Sequence, residues 1–188
     1  DRVEDAQPLA RALVAGGLPA LEITLRTAAA LEAIAAVAEV EGAMAGVGTL
    51  LTAAQIRDAK AAGATFGVSP GATETLIQAA RDYDLPLLPG AATATEAMRL
   101  LEQGFVFQKF FPAEAAGGAP ALGSMAGPLP QITFCPTGGV TPENAKTYLA
   151  LPNTRCVGGS WIAPKALIDA GDWDQITQIA RRAADLLA

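Results

Sequence analysis

Histidine is absent from all 188 residues. Catalytic triads that use imidazole as the base are therefore excluded, and so are zinc sites built on histidine. Acid–base chemistry must come from carboxylates, lysine, tyrosine or water. Aromatic residues make up only 5% of a chain that is 51% hydrophobic, so the core is aliphatic and alanine-rich. That composition suits a globular α/β protein rather than a disordered one. The net charge is −6 and no Lys/Arg cluster interrupts it, which argues against nucleic acid or an anionic membrane as a partner. No apolar run reaches the roughly 18 residues of a membrane span, and no signal-peptide pattern is read. There are two cysteines, Cys135 and Cys156, far apart and without CxxC spacing. Reduced, buried, structural thiols are the expectation, and with them a cytoplasmic protein.

What the chain does contain is a repeating layout. Short apolar runs stand at "ALEITL" (20–25), "AMAGVGT" (43–49), "TFGVSPG" (65–71), "PLLPG" (86–90), "FVFQKFFP" (105–112), "ITFCPTGG" (132–139) and "RCVGGSW" (155–161). Each begins roughly 20 to 27 residues after the last, the length of one βα unit, so the strands are expected to be parallel. Amphipathic stretches such as 27–40 and 52–63 lie between them. Thr52 and Thr141 read as helix N-caps, Pro142 as a first helical residue and Gly63 as a stop.

Strand-like runs that are each followed by a helix predict a single (β/α)8 TIM barrel spanning 1–188, with a doubly wound open sheet as the competing architecture. Polar and glycine residues at the C-terminal strand ends favour the barrel, as does the lack of a dinucleotide-binding fingerprint. The strand count is one short, because the opening "DRVEDAQPLARALVAGG" (1–17) reads as an acidic-capped helix ending at Gly16-Gly17. The barrel is thus expected either to lack its first strand or to fill that place with another segment.

Three features carry chemistry. In "LEITLR", Glu22, Thr24 and Arg26 alternate with Leu21, Ile23 and Leu25. A strand covered by helices has no wet outer face, so the polar set is expected to point into the barrel. Arg26 has forked donors for a carboxylate, and Glu22 can move protons. The second feature is Lys109, one of four lysines and the one set among phenylalanines in "FVFQKFFPAE". Lys60, Lys146 and Lys165 read as solvated charges. Burial disfavours the ammonium form, which is the condition for an amine to attack a carbonyl and form a Schiff base. The alternatives for Lys109 are a stem that snorkels from a strand end or a pair with Glu114. Third, "CPTGGV" and "VGGSW" place Thr137, Gly138, Gly139 and Ser160 after the last two strands, where barrels bind phosphate through backbone N–H groups.

The motifs "LEITLRT", "GVGT", "VSPG", "PLLPG", "KFFPAE", "FCPTGG" and "CVGGSW" occur in this order at similar spacing in the bacterial 2-keto-3-deoxy-6-phosphogluconate aldolase family, which the chain resembles over essentially its whole length. The resemblance implies a class I aldolase that yields pyruvate and glyceraldehyde 3-phosphate without metal or cofactor. It gives Lys109 the Schiff base and Glu22 the proton transfer. Arg26 and Thr49 would hold the pyruvate carboxylate and its neighbourhood. Thr137, Gly138, Gly139 and Ser160 would line the aldehyde and phosphate end. A homotrimer is implied, as are a leading helix and first strand ahead of residue 1. Cleavage of 4-hydroxy-2-oxoglutarate or of the galactonate epimer is the close alternative. A trimeric scaffold with incidental catalysis is the distant one.

Overall fold

The computed structural model describes residues 2–187. A short 3-10 turn, Val3–Asp5, leads into α1 (Ala6–Ala15), and then β1 (Ala20–Thr24), α2 (Ala30–Ala38), β2 (Met44–Gly48), α3 (Ala53–Ala61), β3 (Phe66–Val68) and α4 (Glu74–Asp82) alternate. After these come β4 (Leu87–Leu88), β5 (Gly90–Ala91), α5 (Ala94–Glu102), β6 (Phe107–Phe110), α6 (Gly118–Ser124) and β7 (Thr133–Pro136). The last helices are α7 (Pro142–Leu149), α8 (Lys165–Ala170) and α9 (Trp173–Ala184).

Threonine starts four of the helices that follow strands. The hydroxyls of Thr52, Thr73, Thr93 and Thr141 accept from the N–H groups of Gln55, Leu76, Glu96 and Asn144 at the starts of α3, α4, α5 and α7. In α3, α5 and α7 the third residue also reaches back to the threonine N–H, which completes a capping box. Gly63 has φ 98, beyond the reach of most side chains, and stands just past the end of α3. Two expected ends differ. The helix of 27–40 begins only at Ala30, where no side chain caps it, because residues 25–29 form turns. An acidic cap is expected for the first helix, but Asp5 at the start of α1 makes no cap bond, and its carboxylate instead pairs with Arg2 at 2.8 Å.

All strand pairing is parallel, with β1-β2-β3-β4 in one sheet and β5-β6-β7 in the other. The run "PLLPG" serves both: β4 pairs with β3 and β5 with β6. Pro89 separates them and has no N–H for the ladder, but its carbonyl accepts from the Lys109 N–H at 2.8 Å. Strand neighbours therefore continue round from β1 to β7. The expected strand at 155–161 is not a regular one. It joins β7 through isolated bridges at Phe134–Thr154 and Thr137–Gly158, which are one residue out of step, so a bulge breaks the ladder. Among the described residues no strand pairs with the free edge of β1. The helical layer nonetheless meets there, since α1 packs on α9 with Gly16 against Ala180 and the Thr177 hydroxyl on the Ala12 carbonyl. The architecture is α/β and of the (β/α)8 type.

Alternation along each strand sorts the side chains into two layers. Leu21, Ala45 and Val47 pack outward against Ile34, Ile56 and Ile176 of the helices. Phe110 and Phe134 do the same with Leu122 and Tyr148, and their rings meet edge to face at 6.3 Å. Each fully buried aliphatic or aromatic side chain of this layer contributes about 1.5–3 kcal/mol. The opposite faces of the strands look into the barrel.

Candidate active site

Strand register decides which way Lys109 points. It lies beside Gly90 on β5 and Cys135 on β7, while its neighbours Gln108 and Phe110 face the helices. Gln108, also polar and fully buried, is a structural residue: its amide donates to the carbonyls of Ala97 and Phe105. Lys109 thus projects inward, with a side chain only 7% exposed. Its Nζ sits 4.9 Å from the centre of the Phe111 ring, a cation–π distance. Glu114 is not its partner, because that carboxylate accepts a hydrogen bond from the Tyr148 hydroxyl.

The partner is Glu22. Its Oε1 lies 3.9 Å from Lys109 Nζ, across the barrel interior from β1 to β6. This is an ion-pair distance rather than a hydrogen bond, and catalytic hydrogen bonds are often long until substrate is bound. Glu22 reaches this position over Gly48, where an added Cβ would fall 1.9 Å from Oε1. A glycine at the end of β2 is therefore what leaves room for the carboxylate.

The rest of the expected site divides. Thr49 follows β2 with φ 62, a left-handed conformation that is costly for a β-branched residue. Strain of this kind gathers at functional positions. Arg26 lies beyond the strand alternation, because β1 ends at Thr24 and Arg26 belongs to the following turn. It is exposed, lines an open pocket of about 300 Å³ with Thr24 and Thr27, and forms no ion pair or side-chain hydrogen bond among the described residues. The geometry does not bring it into contact with Lys109 or Glu22.

The glycine turn does approach the amine. Gly138 lies against the Phe111 ring and Pro112, and the Ala113 and Glu114 N–H groups donate to the Thr137 and Gly138 carbonyls at 2.9 and 3.1 Å. Gly138 and Gly139 have φ 98 and 81. The Gly138 N–H faces the Gly158 carbonyl in the bridge from Thr137, and among the described residues no acceptor is found for the Gly139 N–H. Gly158 abuts the Thr137 hydroxyl, and exposed Ser160 opens a short 3-10 turn, Ser160–Ile162. A free N–H on a left-handed glycine turn of this kind can bind an anion.

The sequence reading did not anticipate the meeting of the two thiols. Cys135 faces inward beside Lys109, and its thiol lies 3.9 Å from the Thr137 hydroxyl. The neighbouring Cys156 thiol, and then burial, raise Cys135 well above an ordinary thiol, while Cys156 is lowered by its proximity to Cys135. Both are free, and Cys156 is only half-buried. Gly48 was also missed as a site residue. The signal for Gly48 was its place two residues after Gly46 on the inner face of "GVG".

A parallel α/β barrel with a sealed amine, a facing carboxylate and a glycine turn defines the class of lysine-dependent carbonyl enzymes. The model of the KDPG and KHG aldolase family matches residues 1–179, and the chain belongs to that family. It is 50% identical to the 2-dehydro-3-deoxy-phosphogluconate aldolase of Pseudoalteromonas atlantica, over 96% of this chain and 85% of that one. The crystal structure of the 2-keto-3-deoxy-6-phosphogluconate aldolase of Zymomonas mobilis with 3-phosphoglycerate has a TM-score of 0.93 at 49% identity, covering 98% of this chain and 87% of that one. The Legionella pneumophila KDPG aldolase, with pyruvate captured as a covalent carbinolamine, also has a TM-score of 0.93, at 45% identity over 97% of this chain and 89% of that one.

Proposed function

We propose that the chain, acting as one domain, is a class I aldolase that cleaves 2-keto-3-deoxy-6-phosphogluconate to pyruvate and glyceraldehyde 3-phosphate. The observation that carries this is the buried Lys109 amine on the inner wall, 3.9 Å from the Glu22 carboxylate. Lys109 attacks the substrate ketone, water leaves, and the iminium becomes the electron sink. Glu22 takes the proton of the C4 hydroxyl, directly or through a water, as the C3–C4 bond breaks. It then returns a proton to the enamine, and hydrolysis frees pyruvate. Arg26 and Thr49 serve the pyruvate carboxylate and its surroundings. Gly138 and Gly139, with Thr137 and Ser160, take the aldehyde and phosphate end. The electron sink is the covalent bond to lysine itself, so the scheme calls on neither metal nor cofactor. A cytoplasmic homotrimer working in the Entner–Doudoroff route follows from the family resemblance. The free thiols agree with a reducing compartment, and no helix among the described residues is long and apolar enough to cross a membrane.

The test is direct. Incubation with pyruvate and borohydride is expected to add one reduced adduct, mapped to the peptide carrying Lys109. An unmodified Lys109 would end the assignment. Comparing kcat/KM for the phosphorylated substrate with that for 4-hydroxy-2-oxoglutarate then decides between the two substrates in the family's description.

A further inference from the structure

Glu114 sits in an unexpected place for a residue beside an anion site. It ends the segment that follows the lysine strand, and its N–H is bonded to the Gly138 carbonyl. Its Cβ and Cγ cover Gly139 so closely that an added Cβ there would come within 2.8 and 2.6 Å of them. A carboxylate is thus tethered directly over a turn whose N–H at Gly139 has no acceptor among the described residues. Such a carboxylate is itself an anion with a short reach to that donor. The structure shows it directed elsewhere. Its Oε1 accepts from the hydroxyl of Tyr148 on α7, a ring with no exposed surface. Burial, and then this bond to Glu114, hold the Tyr148 hydroxyl above its ordinary range, so it stays protonated and remains a donor. Tyr148 is also too deep in the helix-facing core to touch a substrate in the barrel mouth.

We propose that Tyr148 is a positioning residue that holds the Glu114 carboxylate off the Gly138–Gly139 turn, keeping the Gly139 N–H open for the substrate phosphate. The proposal rests on the reading of that turn as the phosphate site. Without the phenol, Glu114 competes with the phosphate from within the molecule and repels it by charge. The effect is confined to the phosphorylated end of the substrate.

Steady-state kinetics with 2-keto-3-deoxy-6-phosphogluconate and its unphosphorylated counterpart test this in the wild type, Y148F, E114Q and the double variant. Borohydride trapping of pyruvate on Lys109 reports that each variant is folded. Y148F is expected to raise KM for the phosphorylated substrate about tenfold, on the scale of one charge-assisted contact, and to leave kcat within about twofold. KM for the unphosphorylated substrate does not follow. Adding E114Q to Y148F brings KM back to within about twofold of wild type, a rescue that a purely structural role for the phenol would not give. E114D, which shortens the reach to an intact Tyr148, moves KM in the same direction as Y148F. An unchanged KM in both Y148F and E114D, an equal rise for both substrates, or no rescue by E114Q overturns the proposal. If the wild type itself does not discriminate between the two substrates, the phosphate reading of the turn falls and this proposal with it. Wild-type discrimination with an unmoved Y148F sinks the positioning role alone.

Discussion

The two ends of the site are built from different materials. At the amine end, side chains on regular strands meet across the barrel: Lys109 from β6 and Glu22 from β1. At the proposed phosphate end, the groups on offer are backbone ones, set by the left-handed conformations of Gly138 and Gly139 after β7. A side-chain site is aimed by the pleat of the sheet, and a backbone site by what the turn leaves unpaired. The first fails when a side chain is displaced, and the second when something else occupies its donors.

The sharpest way to break that contrast is at Gly48, where a glycine supports the side-chain end. An added methyl would meet the Glu22 carboxylate group at 1.9 to 2.7 Å, and only the flexible glutamate can yield. G48A is therefore expected to keep its fold and lose the placement of the base, with kcat down about 100- to 10,000-fold, the range for one lost general base. E22Q should lose a similar factor. The double variant should lose little more, because both changes remove the same interaction. Multiplicative losses measured by kcat across the four proteins would show that Gly48 acts through something other than Glu22.

This contrast also explains what could be read from the sequence. Lys109 and Glu22 were legible as inward-facing charges because inward residues recur with period two. The parallel order followed from the spacing of the runs, and the starts of α3 and α7 from Thr52, Thr141 and Pro142. The period runs out before Arg26, because β1 ends at Thr24 and Arg26 falls in the following turn. It misled at 155–161, where a one-residue bulge reduces a predicted strand to two bridges. The Glu114–Tyr148 and Cys135–Cys156 contacts join residues from different βα units. Such pairs depend on tertiary packing and leave no local pattern.

Thr49 stands between the two kinds of construction, a side chain whose aim depends on a strained backbone. The left-handed conformation of a non-glycine residue costs of order 1–3 kcal/mol. Glycine relieves it but adds unfolded-state freedom worth about 0.5–1 kcal/mol. T49G is expected to gain about 1 kcal/mol in urea unfolding and to lose activity with pyruvate-containing substrates. Asp84, the other non-glycine residue with positive φ (49) among the described residues, is an internal standard. Asp tolerates this region through its short polar side chain, so D84G should gain less and leave activity alone. An equal gain at both positions would show that Thr49 carries no special strain.

The smallest effect belongs to a residue serving neither end. Thr93 caps α5 just after β5, and Glu96 returns the bond: its carboxylate accepts from the Ala92 N–H at 2.8 Å and the Thr93 N–H at 2.9 Å. T93A should cost about 1 kcal/mol of stability and leave both KM and kcat unchanged. Glu96 gives the same cap a pH signature. The Ala92 N–H, and then the Thr93 hydroxyl and N–H, hold its carboxyl below the ordinary range. A group lowered in the folded state contributes stability that is full above its unfolded value and is lost as pH falls through the folded one. E96Q should therefore match wild type more closely at low pH than at neutral pH, when Tm is compared across the acid range. A Tm gap that stays constant with pH would mean that the cap works by geometry alone, without the carboxylate charge.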